Sequence, residues 1–379
     1  MDPYAAEIQA FWALWPENHG LGQGTVRDEA AGAGFASARG GGARCHQVLG
    51  EGRPLTWDDR QTAAVMALFH RQRRALPVFG AWVEAVRSNA DSIRYPEDLI
   101  FMPVEAFLSP NLYHGLPQRP QTVFRSSGTS SGPGQRSQHW IAYPEMLGAR
   151  SLRFALQSLG GLEDRVLLAL LPSYMERGDS SLLYMLQYFM NHGGLAFGAF
   201  YHRNYFELMH RWKQAHQEGH AVLAWGIPHA LVEWLSQHPF EAGSLDVLIE
   251  TGGHKGMEHP MTATQMRHWL KARLGPLRLG SEYGMTELGS QAYWLEGGQW
   301  EGLVFPESVA VGIYRVDNPL EWEKAGGQGG INVFDPANYF SLAFIQTRDL
   351  GRILPDGSLE LLGRISGAEP RGCNWLFHS

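Results

Sequence analysis

Between Ser126 and Ser137 the chain places five serines or threonines in its first six positions, Ser126-Ser127-Gly128-Thr129-Ser130-Ser131. Glycines follow at 132 and 134, and Arg125 and Arg136 flank the stretch. Glycine lets the backbone approach an anion and expose successive N–H groups, and hydroxyls add donors without bulk, so such a loop can wrap a polyphosphate. The Gly-Lys-Ser/Thr ending of a Walker loop is absent, which argues against a P-loop ATPase. Taken alone, the stretch reads equally well as a Ser/Gly linker.

Three more segments carry complementary chemistry. In Ser281-Glu282-Tyr283-Gly284-Met285-Thr286-Glu287, Tyr283 offers an aromatic face to a purine and Gly284 allows a turn. Glu287 supplies the carboxylate oxygen wanted by a magnesium ion that bridges phosphates. In Thr347-Arg348-Asp349-Leu350-Gly351-Arg352, leading to Gly363-Arg364, Asp349 can accept from vicinal ribose hydroxyls and Arg364 offers a cationic fork to the same nucleotide. The cluster Thr251-Gly252-Gly253-His254-Lys255-Gly256 could edge an adenine or a carboxylate with its backbone, and Lys255 would add positive charge. Each has a plainer reading by itself: a polar surface turn, surface ion pairs, a helix-start turn. In this order, separated by strand and helix patterns, they point to an enzyme that joins a carboxylic acid to AMP. Cys373 follows Arg364 by nine residues, where an activated acyl group could be stored.

The elements that must position these residues are those of an α/β fold. Short apolar runs at Val166 to Leu171, Ala221 to Trp225, Leu245 to Glu250 and Leu277 to Leu279 read as strands. Pro144 to Leu159, Ser181 to Met190, Tyr205 to Gln217 and Met261 to Leu274 read as intervening helices. The motifs then fall at strand ends, where open α/β sheets place ligands. Upstream, a helix from about Ala5 to Leu14 precedes a glycine-rich loop from Gly20 to Gly52. A longer helix starts from Thr56 with Asp59 as a capping box and is limited by Pro77. After about Trp294, short runs with Gly and Pro turns predict a small β-rich subdomain.

Composition sets the class. With 379 residues, 44% of them hydrophobic, the chain can bury a large core, and a net charge of -7 gives no footprint for nucleic acid or an anionic membrane. The longest aliphatic run, Val166 to Leu171, is too short to span a bilayer, and the N-terminus lacks a secretory pattern. A cytoplasmic protein is expected. Two cysteines, Cys45 and Cys373, make no disulfide framework, and the histidines show no zinc-site spacing.

Taken together, the motifs resemble the acyl-adenylate-forming superfamily, and more closely its acyl-protein synthetases (LuxE-type, long-chain-fatty-acid–protein ligases). The resemblance runs from about Glu97 onward. It includes Pro172-Ser173-Tyr174-Met175-Glu176-Arg177-Gly178-Asp179-Ser180-Ser181-Leu182, the Thr251 cluster, Ser281 to Gln291, and Arg371-Gly372-Cys373-Asn374. It implies the superfamily's large N-terminal domain over 1–363, with a helical N-terminal part, parallel α/β sheets and a small β-rich subdomain. Residues 364–379 form a tail bearing the acceptor Cys373, and the mobile lysine-bearing C-terminal domain is absent. A fatty acid and ATP, with magnesium, would give acyl-AMP and pyrophosphate. The acyl group would pass to Cys373 and then to a partner acyl reductase that forms a fatty aldehyde. By the same resemblance Ser126, Ser127, Gly128, Thr129 and Ser130 hold phosphates, Tyr283 and Gly284 meet adenine, Thr286 and Glu287 serve phosphate and magnesium, and Asp349 holds the ribose. An acyl-CoA or acyl-carrier-protein ligase lacking its second domain is the alternative.

Two departures stand out. Where the superfamily's loop ends in Pro-Lys, Pro133 is followed by Gly134-Gln135-Arg136, which leaves the loop's cationic residue unassigned, and Arg125, Lys255 and Arg136 are the candidates to compensate for the second domain's lysine. Fifteen residues remain after Arg364, leaving no counterpart to the second domain's lysine. Thioester storage makes chemical sense, because a thiolate preserves the activation of an anhydride that water destroys. Nine peptide steps of roughly 3.3–3.6 Å give Cys373 about 30 Å of reach from Arg364. A cysteine packed against Trp375, Leu376 and Phe377 is the plainer alternative. Aromatic and aliphatic residues around Ser181 to Phe206 suit an acyl chain or an ordinary core.

Overall fold

The computed structural model describes residues 5–15, 46–50, 57–109, 112–114, 122–126, 136–171, 178–252, 261 and 263–365. Along them run α1 (Ala5–Trp12), β1 (Gln47–Leu49), α2 (Asp59–Ala75), α3 (Pro77–Val86), β2 (Met102–Pro103), β3 (Thr122–Arg125) and β4 (Gln138–Ile141). The middle of the chain alternates α4 (Pro144–Leu159), β5 (Val166–Leu170), α5 (Ser181–His192), β6 (Phe197–Tyr201), α6 (Tyr205–Gln217), β7 (Val222–Gly226), α7 (Pro228–Gln237), β8 (Val247–Thr251), α8 (Ala263–Leu274) and β9 (Arg278–Tyr283). The rest is β10 (Ala292–Leu295), β11 (Ala310–Tyr314), β12 (Gly329–Phe334), β13 (Phe344–Ile353) and β14 (Leu359–Arg364).

One sheet has the order β10-β9-β8-β7-β5-β6, parallel throughout except for β10 against β9. β5, β7 and β8 are buried along their whole length, as parallel strands covered on both faces must be, which is why their sequences are continuous apolar runs. The chain leaves β5 toward β6 and then crosses back to β7 on the other side. That reversal opens a crevice at the carboxyl ends beside β5.

The other large sheet runs β1-β11-β12-β13-β14, with β2 also paired to β13. β1 and β2 are parallel to their partners and the remaining pairs are antiparallel. Its core is completed from the other end of the sequence. Trp15, Phe69, Phe79 and Trp82 share one buried cluster with Phe334 and Phe344, and Phe79 stacks on Phe344 at 6.0 Å. The β-rich part and the helical N-terminal part are therefore one packed unit.

Two expectations need correction. The stretch from Gly20 to Gly52 is not all loop: Gln47–Leu49 is a buried strand on β11, and residues 20–45, 51 and 52 lie outside the described residues. Three residues are too few to show a period, so only the pairing partner reveals them. The cap of α2 is Asp58, not Thr56. Its carboxylate accepts from Gln61 N at 2.8 Å, and Gln61 Oε1 accepts from Asp58 N at 2.9 Å. The reciprocal bond needs a side chain long enough to reach back, which Gln61 is. Pro77 ends α2 and then opens α3, where its missing N–H costs nothing. α4 and α6 match their predicted spans. β6 and α7 were not anticipated, although Pro228 followed by buried Ala230, Leu231, Trp234 and Leu235 is a legible helical pattern.

At the amino end of the parallel sheet, buried Asp246 joins three elements. Its carboxylate accepts from Trp212 Nε1, His216 Nε2, Val222 N and Gly243 N, each at 2.8 Å. Asp246→Ala leaves these donors unpaired, and we expect a loss of about 3 kcal/mol of unfolding free energy, measured by urea titration, with the chemistry at the strands' far ends unaltered in kind. Among the described residues no helix is long and apolar enough to cross a membrane.

Candidate active site

The hydroxyl-rich loop grows from the β3–β4 hairpin, in which Arg125 pairs with Gln138. Ser127, Gly128, Thr129 and Ser130 lie outside the described residues, but both ends of the loop are in view. Ser126 N donates to Ser137 O at 3.1 Å, and Ser137 N donates to Ser126 Oγ at 2.9 Å. Asp179, which lies between β5 and α5, clamps this neck. It accepts from both terminal nitrogens of Arg136 at 3.1 and 2.9 Å, and its carbonyl accepts from Arg125 N at 2.9 Å. Arg136 Nε also donates to Ser126 O at 2.6 Å, while the Arg125 guanidinium stands 3.6 Å from Asp179. Burial alone would push the Asp179 carboxyl up, but the Arg136 and Arg125 guanidiniums hold it below the usual carboxylate range. Arg136 is thus engaged in the neck and Arg125 held more loosely. Lys255 lies outside the described residues.

Tyr283, the last residue of β9, faces the second sheet. Its hydroxyl donates to Asp349 Oδ2 at 2.8 Å, and Arg364 Nε donates to Asp349 Oδ1 at 3.1 Å. Asp349 on β13 and Arg364 at the end of β14 are register partners. Three predicted residues from two motifs therefore meet at the Asp349 carboxylate, at the seam between the two sheets. Each Asp349 oxygen retains acceptor capacity beyond these bonds. The Tyr283 ring is 8% exposed and meets Phe305 edge-on at 5.9 Å. Burial, reinforced by the Asp349 carboxylate, lifts its hydroxyl well above the ordinary tyrosine range, so it remains a donor.

Beneath this seam the carboxyl ends of β8 and β9 carry two acid–hydroxyl pairs in register, Glu250 with Ser281 and Thr251 with Glu282. Ser281 Oγ donates to Glu250 Oε1 at 2.9 Å, and Thr251 Oγ1 donates to Glu282. Burial raises the Glu282 carboxyl to about 7, against the opposing pull of the Thr251 bond. A Cβ at position 284 would lie 2.5 Å from Glu282 Oε1, so a side chain there would displace the Glu282 carboxyl. Gly252 turns the chain out of β8 with φ +86°, and Gly253 lies outside the described residues.

Thr286 and Glu287 sit in a turn with no strand ladder of its own. Buried side chains hold its backbone instead. His139 Nδ1 bonds Thr286 O at 2.8 Å, Asn338 Nδ2 donates to Glu287 O at 2.7 Å, and Asp335 Oδ2 accepts from Gly289 N and Ser290 N at 2.8 Å each. Burial raises the Glu287 carboxyl, while the Ser137 side chain and the Arg364 charge favour its ionised form. One carboxylate beside a phosphate loop suits magnesium, which takes one or two protein carboxylates and completes its shell with phosphate oxygens and water. Among the described residues no cluster of three or more His, Cys, Asp or Glu could hold an ion unaided.

Asp179, His139, Asp335 and Asn338 escaped the sequence reading. Asp179 lies inside a segment that carried the resemblance, but nothing local pairs His139 or Asp335 with a turn some 45 to 150 residues away. Cys373 lies outside the described residues. Of the proposed acyl lining, Met185, Leu186, Tyr188 and Phe189 are buried in the core beneath α5, so packing accounts for them.

No protein-family model and no curated protein sequence matches the chain. Solved structures do. The chain is similar to 2-hydroxyisobutyryl-CoA ligase, captured in an open conformation with 2-HIB-AMP and CoA, at 12% identity and a TM-score of 0.59, over 84% of this chain and 81% of that one. It is also similar to O-succinylbenzoate coenzyme A synthetase (MenE) from Bacillus subtilis with AMP, at 19% identity and a TM-score of 0.48, and to MatB from Rhodopseudomonas palustris, at 19% and 0.46. The chain spans about half the length of these last two, 50% and 48%. The mixed α/β architecture with its parallel sheet is the fold of the N-terminal domain of adenylate-forming enzymes.

Proposed function

We propose that this chain activates a carboxylic acid as acyl-AMP at the expense of ATP. The observation that carries the reading is the convergence of Tyr283 and Arg364 on the Asp349 carboxylate, with the clamped neck of the hydroxyl loop and the Glu287 turn. In the step, a carboxylate oxygen of the acid attacks the α-phosphorus and the bond to pyrophosphate breaks. Asp349 would take the ribose hydroxyls, and the backbone and hydroxyls from Ser126 to Ser130 the phosphates, with Arg125 the better placed of the two neck arginines to add charge. Glu287 with Thr286 would hold magnesium, which neutralises phosphate charge when bound. Gly252, Gly253 and Lys255 would border the adenylate.

The finer reading is an acyl-protein synthetase. A Cys373 thiolate attacks the acyl carbonyl, AMP leaves, and the thioester passes to an acyl reductase in the cytoplasm, with a long-chain fatty acid as substrate. Its support is the sequence resemblance. The second reading, a CoA ligase, draws on the CoA bound to the 2-hydroxyisobutyryl-CoA ligase. Both predict acid-dependent exchange of labelled pyrophosphate into ATP, and absence of exchange with every acid tried would end the adenylation reading. Labelled fatty acid and ATP should leave a hydroxylamine-sensitive label on the polypeptide. In Cys373→Ser that label is expected to vanish while exchange persists. A label that survives the substitution excludes the internal thioester, and turnover that requires CoA favours the second reading.

A further inference from the structure

We infer that His139 is a positioning residue that ties the β3–β4 hairpin to the acidic turn, so that the neck of the hydroxyl loop at Ser126 and Ser137 is held in register with Glu287. The inference rests on the ATP-dependent reading above.

A carbonyl can only accept, so the 2.8 Å contact with Thr286 O requires a proton on Nδ1 of His139. Burial pulls this imidazole down to about 4, partly offset by the Thr286 bond, so near neutral pH the ring is uncharged and Nε2 is a bare acceptor. Ser341 Oγ, 2.8 Å away, donates to it. The tautomer follows from the partners, and the ring is 1% exposed with Phe107 edge-on at 5.4 Å.

His139 thereby bonds three segments: β4, the turn after β9, and the stretch before β13. Its place on β4 gives the tie its meaning. Ser137 lies two residues earlier, so in extended chain the two side chains project to one side. Ser137 N is bonded to Ser126 Oγ across the neck of the loop, and its side chain favours the ionised Glu287. The other two anchors of the turn, Asp335 and Asn338, both follow β12 in the second layer. Of the three, only His139 belongs to the loop hairpin. Without its Nδ1 bond the turn would remain fixed to the second sheet, and the Ser137 side chain's contact with Glu287 would be left to hold it to the hairpin.

Two substitutions of equal polarity separate this role from simple core packing. Asparagine places its amide near the position of Nδ1 and can keep the bond to Thr286 O. Glutamine places its amide near Nε2 and can keep only the contact with Ser341. We expect His139→Gln to speed amide exchange across residues 285–290 by about tenfold relative to β5 and β7, and to weaken calorimetric binding of MgATP, without acid, by about tenfold. His139→Asn should stay within about threefold of the parent on both measures. Equal behaviour of the two variants, whether both intact or both impaired, overturns the inference. If the parent protein binds no MgATP, the ATP reading fails, and the exchange comparison still decides whether His139 holds the turn.

Discussion

Asp349→Ala is expected to lower kcat/KM for ATP in acid-dependent pyrophosphate exchange by at least about a hundredfold while the chain still folds. Asp349 is the one group on which Tyr283 and Arg364 both converge, at 2.8 and 3.1 Å. Removing it takes the carboxylate acceptor from the Tyr283 hydroxyl and from Arg364 Nε and deletes the acceptors proposed for the ribose. Hydrogen bonds to a charged group contribute about 1.5–3 kcal/mol each, and about 1.4 kcal/mol is tenfold, so two such bonds to a ribose account for the estimate. Tyr283→Phe keeps the ring and removes a single bond, so its cost should stay near tenfold or below. Activity of Asp349→Ala within about threefold of the parent would remove this residue from the nucleotide site.

Acidification should destabilise the protein steeply between pH 6.5 and 4. His46, His114 and His139 are each pulled from 6.5 to about 4, chiefly by burial. In that window the unfolded chain binds protons that the folded chain refuses, so stability falls as pH drops. At about 1.4 kcal/mol per pH unit each histidine contributes about 3 kcal/mol, fully present above 6.5 and lost on approach to 4. Glu282 opposes them. Its folded value of about 7 lies above the ordinary 4.5, so its contribution is present at low pH and is lost as pH rises through 7. The raised Glu287 carboxyl acts in the same sense as Glu282, and the three histidines still leave a net loss of several kcal/mol on acidification, a large share of the stability of an ordinary domain. Urea midpoints that stay flat from pH 7 to 4.5 would contradict this. In His139→Asn the net slope should shrink by about half, because one of three histidine contributions is removed while that of Glu282 stays.

Sequence pattern revealed the parallel sheet because fully buried strands announce themselves as uninterrupted apolar runs, and α4 and α6 because their caps and periods agree. It also picked out Tyr283, Asp349 and Arg364, whose chemistry is unusual for their settings. It could not show that these three share a single carboxylate, since their register is set by pairing between β13 and β14 and by the approach of β9 from another sheet. The residues that position the site were the least legible. His139, Asp179 and Asp335 act on backbone far along the chain, and a lone buried polar residue carries no local pattern. β1 was hidden for a related reason, being too short to show a period.

The aromatic cluster that joins α1, α2 and α3 to the last strands bears on biosynthesis. These helices leave the ribosome well before β12 and β13, against which Phe69 and Phe79 pack and which come more than 240 residues after the end of α3. At roughly 5–20 residues per second the nascent helices wait about 10–50 s with their apolar faces uncovered. The parallel sheet, whose strands follow one another closely, can assemble in that interval. The amino-terminal helices are thus the portion of the newborn chain with the greatest need of chaperone cover.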